Sequence, residues 1–221
     1  MFVGHFGVAF AAKRLAPRRS LAVLLAAGGF LDLLWPVLIL AGIETVRIDP
    51  GNTAVTPLDF TSYPWSHSAA FSLGWAALFA AVVFALTRDR RGALVAGALV
   101  LSHWVLDLVS HRPDLPLWPG GPKAGLGLWS SVAATLLVEG AIFLDGVWIY
   151  VRATRPTGAP GRWALAALVL LLTAVYLANT LGGAPPPSVS AVVWANIAGA
   201  AIMLPLAAWA ERHRAVASGA G

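Results

Sequence analysis

The chain contains no cysteine among its 221 residues. That excludes a disulfide framework, a thiolate metal site and a cysteine nucleophile, so any metal it binds must be held by His, Asp or Glu. Charge is scarce as well. Only 11% of residues are Asp, Glu, Lys or Arg, against roughly a quarter in ordinary soluble domains. Such a chain cannot coat a water-facing surface, which excludes a soluble globular enzyme. Its 58% hydrophobic content excludes a disordered or fibrous protein. No internal repeat of fixed period is evident, and the only biased tracts are Ala/Leu-rich helix.

What is abundant is apolar sequence of membrane-spanning length. A spanning helix needs about 20 mostly apolar residues, and residues 20–43, 65–87, 92–112, 128–151, 162–182 and 189–210 meet or approach that. A seventh stretch, 2–15, is apolar but only about 21 Å long as a helix. Its basic cluster follows it, which argues against a secretory signal peptide. Twelve of the fifteen Lys and Arg residues fall in alternate connections: Lys13, Arg14, Arg18 and Arg19; Arg88, Arg90 and Arg91; Arg152, Arg155 and Arg162; Arg212 and Arg214. Only Arg47, Arg112 and Lys123 lie on the other side. The positive-inside rule then places the N-terminus outside and the C-terminus in the cytoplasm. The net charge of +5 is thus a topology signal, and the partner is a lipid bilayer, not nucleic acid. The expected fold is all-α: a polytopic bundle of about seven transmembrane helices, the first one short. The whole of 1–221 is one integral membrane domain, with 1–151 carrying the chemistry and 152–221 adding two apolar helices whose cores hold no ionisable residue.

Ionisable side chains within a bilayer are costly and mark function by default. His5, Asp32, His103, Glu139 and Asp107 lie about 14 to 23 Å above the basic end at 1.5 Å per residue, with His67 and His111 near 30 Å. Asp145 is the outlier at roughly 10 Å and has no assigned role. Seven of these eight groups therefore share the outer half of the membrane, on five helices. His103 and Asp107 sit at i and i+4, on adjacent turns of one helical face. An imidazole and a carboxylate aimed at one point suit metal ligation, although a hydrogen-bonded pair has the same spacing. Asp32 follows Gly28-Gly29, which permit close helix approach, and precedes Pro36. Pro36 cannot bond the Asp32 carbonyl, so a kink is expected there. His67 falls in the first turn of a helix opened by Pro64, with Ser66 and Ser68 as caps or as donors to a ligand. Glu139 is a candidate ligand or general base, or a structural partner of an Arg or Trp. His111 is a further candidate ligand. Arg112 and Lys123 flank the Pro/Gly-rich loop 112–127 and are candidates for an anionic substrate, or simply face solvent and headgroups. Trp65, Trp118 and Trp129 read as an interfacial aromatic belt.

His5, Gly29-Phe30-Leu31-Asp32, Trp65-Ser66-His67-Ser68 and Leu101-Ser102-His103-Trp104-Val105-Leu106-Asp107 ahead of a Pro-rich loop resemble the YdjM-like family of bacterial inner-membrane proteins, labelled membrane-bound metal-dependent hydrolases. The resemblance spans roughly residues 1–150. It implies His5, Asp32, His67, His103 and Asp107 as the metal set. It departs from the family pattern at the acidic element, where Asp32 stands alone without the usual second acid. Three imidazoles and two carboxylates suit Zn²⁺, with Mn²⁺ or Fe²⁺ as alternatives. The implied activity is hydrolysis of an ester or phosphoester, a lipid among the candidates, from the outer or periplasmic side, with Asp107 or Glu139 taking the proton. The rivals are a transporter or cation-binding permease and a membrane scaffold with a structural metal.

Overall fold

The computed structural model describes residues 1–217 and is a helical bundle. Its helices, in chain order, are α1 (Val3–Ala11), α2 (Leu21–Gly28), α3 (Phe30–Leu40), α4 (Pro64–His67), α5 (Ala69–Thr87), α6 (Arg90–Ser110), α7 (Val132–Ala153), α8 (Ala159–Leu181) and α9 (Val189–Arg212). Three two-stranded antiparallel ribbons complete it: β1 (Thr45–Ile48) with β2 (Leu58–Ser62), β3 (Leu115–Pro116) with β4 (Lys123–Ala124), and β5 (Thr154–Pro156) with β6 (Arg214–Val216). Five helices, α5 to α9, are long and apolar enough to cross a membrane, and α2 with α3 makes a sixth, broken span. Leu73, Leu86, Leu94, Leu137, Trp163 and Leu170 are exposed on these helices, as surfaces that face hydrocarbon must be.

One expectation is corrected. The break in the second span lies at Gly29, where α2 and α3 meet at 60°, while α3 runs through Pro36 without interruption. Gly29 lets Phe6 approach within a distance that leaves little room for a Cβ, so the bend serves packing against α1. The first helix is short, as expected, and lies inside the bundle. Val3, Gly4, His5, Phe6, Gly7, Ala9 and Phe10 are all buried, and α1 runs through the middle of the bundle against α7, α2 and α6. Its seat on α7 is glycine against glycine. A Cβ at Gly146 would collide with the Gly7 carbonyl, and one at Gly7 with the Ile142 carbonyl. These are the close approaches that small residues permit between membrane helices.

The basic connections gather at one end of the bundle. Lys13, buried on the turn after α1, pairs with Glu211 and donates to the Arg19 carbonyl at 2.7 Å. Glu211 also accepts the Tyr150 hydroxyl at 3.0 Å, and Arg19 pairs with Asp89 at 3.1 Å. Arg214 donates to Thr154 Oγ1 at 2.9 Å, beside the β5–β6 ribbon. At the opposite end the β1–β2 ribbon and the 112–127 loop fold over the helix ends. There Arg112 joins them by donating to Asp59 at 2.6 Å and Asp114 at 3.1 Å.

Candidate metal centre

The chemically active side chains come from four helices, α1, α3, α4 and α6. α4 is one turn long; it ends where Ser68 turns extended and caps α5 by accepting from Phe71 N. His67 is thereby held at the junction of two helices. Asp32 occupies the first turn of α3, just past the break. His103 and Asp107 stand one turn apart on the buried face of α6, and His5 lies in the first turn of α1.

These five residues converge. His67 Nε2 lies 3.5 Å from Asp32 Oδ1 and 3.8 Å from Asp107 Oδ2. His103 Nε2 lies 3.7 Å from Asp32 Oδ2 and 3.3 Å from Asp107 Oδ2. Ligand atoms held at about 2.0–2.1 Å around a tetrahedral ion stand about 3.3–3.4 Å apart. None of the four is formed as a hydrogen bond, and they are close to that ligand spacing. His103 Nε2 is buried and has no hydrogen-bond partner, an arrangement whose desolvation cost needs a compensating ligand. The His103 Nδ1 proton is fixed by the Gly28 carbonyl at 2.8 Å, the carbonyl beside the α2–α3 break, which leaves the lone pair on Nε2. A ligating imidazole anchored through its other nitrogen is the usual support around bound metals. The buried residues therefore can hold a metal ion, in two overlapping triads: Asp32, His67 and His103, and His5, His103 and Asp107.

His5 differs from the other two imidazoles. Its Nε2 is hydrogen-bonded to Asp107 Oδ1 at 3.1 Å and its ring stacks on His103, centroids 3.6 Å apart and planes within 4°. The Met1 amino group also donates to Asp107 Oδ1, and to Ser110 Oγ at 2.7 Å. One oxygen of Asp107 is thus occupied by donors from the first residues of the chain, while the other faces His67 and His103. Asp32 alone has an accessible carboxylate, with 36% of its side chain exposed. It marks the mouth of the site.

The remaining sequence candidates lie elsewhere. Glu139 belongs to neither triad. Its oxygens accept from Phe2 N at 2.7 Å and Trp129 Nε1 at 3.2 Å, so it fastens the start of α1 and the turn Leu128–Ser130 to α7. Trp129 accordingly folds inward, with its ring 4.6 Å from that of His111, while Trp65 and Trp118 are exposed. His111 forms a separate buried cluster, with Asp114 at 3.0 Å and Tyr63 Oη at 3.3 Å. Arg112 is engaged by two carboxylates, and Lys123 is exposed on β4. Asp145 is exposed on α7. Sequence reasoning passed over Glu44, which is buried and bonded to the turn that carries His67. The one signal for it was that α4 opens on Tyr63 and Pro64, with no side chain of its own to cap the turn.

No protein-family profile, no curated protein and no solved structure matches this chain.

Proposed function

We propose that this protein is a membrane-embedded metal-dependent hydrolase that cleaves an ester or phosphoester of an amphiphilic substrate, a lipid being the favoured class. The observation that carries the reading is the pair of buried imidazole nitrogens, His67 Nε2 and His103 Nε2, both set at ligand spacing from Asp32 and Asp107, with only Asp32 open to an incoming molecule. The resemblance to the YdjM-like membrane-bound metal-dependent hydrolases supports the same reading. Two imidazoles with two carboxylates suit Zn²⁺ before Mn²⁺ or Fe²⁺. A divalent ion held there would supply a Lewis acid that polarises the scissile carbonyl or phosphoryl oxygen. The chain's own contribution is to hold the lone pairs of His67 and His103 toward one point, to fix Asp107 through His5, and to leave approach along Asp32. The site lies within the bundle, next to buried and half-buried apolar residues such as Trp35 and Phe30, so a substrate needs an apolar portion to reach it. By the charge bias, the mouth opens on the periplasmic side of a bacterial inner membrane.

A conduit fits less well. One to two turns further along α1, α2 and α7 toward the basic end, Phe10, Leu24, Leu25 and Phe143 are all buried and belong to one apolar cluster. They separate the metal ligands from the Lys13–Glu211 pair. Transport would need a polar path through that layer.

The test is metal analysis of the purified protein beside His103→Ala and Asp32→Ala, followed by assay on lipid phosphodiesters and carboxylic esters. We expect about one ion per chain in the wild type, loss of that ion in both variants, and turnover that disappears with it. A wild type without stoichiometric metal overturns the centre. Metal without hydrolysis of either ester class overturns the enzyme and leaves a structural metal in a scaffold.

A further inference from the structure

Glu44 lies on the connection between α3 and β1, with a side chain almost entirely enclosed. Both of its oxygens are used. Oε1 accepts from Trp65 N and Ser66 N, each at 2.8 Å, and Oε2 accepts the Ser66 hydroxyl at 2.6 Å. The two backbone donors are the first free N–H groups of α4, which Tyr63 does not cap. This accounts for a structural role. The third bond does more.

A serine hydroxyl has one proton to give. That of Ser66 faces two acceptors, Glu44 Oε2 and, at 3.4 Å, the Tyr63 carbonyl. With its proton committed to the carboxylate, Ser66 Oγ can only accept from its remaining neighbour, His67 Nδ1, at 2.7 Å. The proton of the neutral His67 ring therefore sits on Nδ1, and the lone pair sits on Nε2, the atom aimed at Asp32 and Asp107. A metal ligand needs that lone pair free, and the hydrogen bond made by the other ring nitrogen decides whether it is.

We propose that Glu44 is a positioning residue that sets the tautomer of His67 through Ser66, and so holds His67 ready to bind the metal. The purpose assigned to it rests on the metal reading above; the hydrogen-bond chain does not. The direction of that chain depends on an acceptor-only group at position 44. In Glu44→Gln an amide replaces one oxygen with two donors. If the amide nitrogen faces Ser66, the serine proton is left to choose between the Tyr63 carbonyl at 3.4 Å and His67 Nδ1 at 2.7 Å; the shorter contact draws it to Nδ1, and the ring proton moves to Nε2. If it faces Trp65 N and Ser66 N, donors oppose donors and the α4 turn loses its anchor. Ser66→Ala leaves Glu44 free to cap α4 and removes only the relay. His103 is an internal control, because its Nδ1 proton is held by the Gly28 carbonyl, which can only accept.

The experiment is ¹⁵N NMR of metal-free, ¹⁵N-histidine-labelled protein in lipid nanodiscs, with rings assigned by His67→Asn and His103→Asn, together with Zn²⁺ titration of the same samples. Wild type is expected to show both rings protonated at Nδ1. In Glu44→Gln and Ser66→Ala the His67 signal should move toward the Nε2–H form while His103 stays unchanged, and Zn²⁺ affinity should fall about 10–100-fold, as loss of a ligand's supporting bond does elsewhere. If Glu44→Gln does not fold, Ser66→Ala carries the test alone. An Nε2–H form of His67 in the wild type, or a His67 tautomer unmoved in Ser66→Ala, overturns the proposal. Expected tautomers in a wild type that takes up no Zn²⁺ would uphold the relay while overturning the metal centre, so the two failures are distinguishable.

Discussion

Asp114 carries more of the loop end than its single charge suggests. Burial alone would raise its pKa, but hydrogen bonds from His111 Nδ1, from Arg112 Nε and from the Tyr63 hydroxyl outweigh that and hold the carboxyl below the usual range. The unfolded chain titrates Asp near 3.9. A carboxyl depressed in the folded state stabilises fully above about that pH, and its contribution is lost as pH falls through the lower folded value. Melting wild type beside Asp114→Asn in detergent from pH 6 to pH 3 should therefore show a difference in Tm that is constant down to about pH 4 and narrows below it. A difference that holds constant to pH 3 would show that the carboxylate does not anchor the loop. Residues such as this were only partly legible. His103 and Asp107 stood out because i and i+4 spacing in an apolar helix has few explanations, and His5, Asp32 and His67 because a bilayer penalises each of them. Glu44, Asp59 and Asp114 lie in connections, where acids are ordinary. Their burial depends on how two distant loops fold over one another, and no local pattern encodes that.

At the scale of elements, the position of the candidate ligands depends on how closely α1 can approach α7. His5 reaches Asp107 because Gly7 and Gly146 let the two backbones touch. Helix propensity alone favours Ala over Gly by about 1 kcal/mol, whereas forcing a methyl into a packed backbone contact costs about 1–3 kcal/mol. At Gly146 the obstacle is the Gly7 carbonyl, which cannot rotate away, so the second effect wins. Gly146→Ala should lower Tm and weaken metal binding by displacing α1 from Asp107. Gly140→Ala, on the same helix with open space at its Cβ position, should leave both unchanged or raise Tm slightly. Equal behaviour of the two variants would mean that the α1–α7 contact does not set the site. The element pattern was largely readable, since four of the six long apolar segments became single helices at nearly their expected bounds and the other two became the pairs α2–α3 and α4–α5. The bend was not. Pro36 is the residue that usually kinks a helix, but α3 runs through it. The break itself sits at Gly29, because two helices converge on that point in space. The first helix was likewise read by length alone, and length does not say whether a short helix faces lipid or is sheathed by others.

For the whole molecule, the arrangement of charge makes a claim that the fold by itself does not decide. The connections that carry Lys13 to Arg19, Arg88 to Arg91, Arg152 to Arg162 and Arg212 to Arg214 meet at one end of the bundle, knit by Lys13–Glu211, Arg19–Asp89 and the β5–β6 ribbon. Asp32, the exposed member of the candidate site, is in the other half, the half that carries the 44–64 and 112–127 loops. If the basic end faces the cytoplasm, substrate meets Asp32 from the outside or the outer leaflet, and a hydrolase reading requires a substrate available there. The absence of native cysteine makes the orientation directly measurable, because a single introduced thiol reports without background. Ser130→Cys, exposed at the loop end, should react in intact cells with a membrane-impermeant maleimide. Thr157→Cys, exposed in the connection between α7 and α8 at the basic end, should react only after the membrane is opened. The reverse pattern would turn the mouth toward the cytoplasm. It would leave the candidate ligands as they are but replace a periplasmic substrate with a cytoplasmic one, and it would require some constraint stronger than twelve basic residues to hold the protein that way.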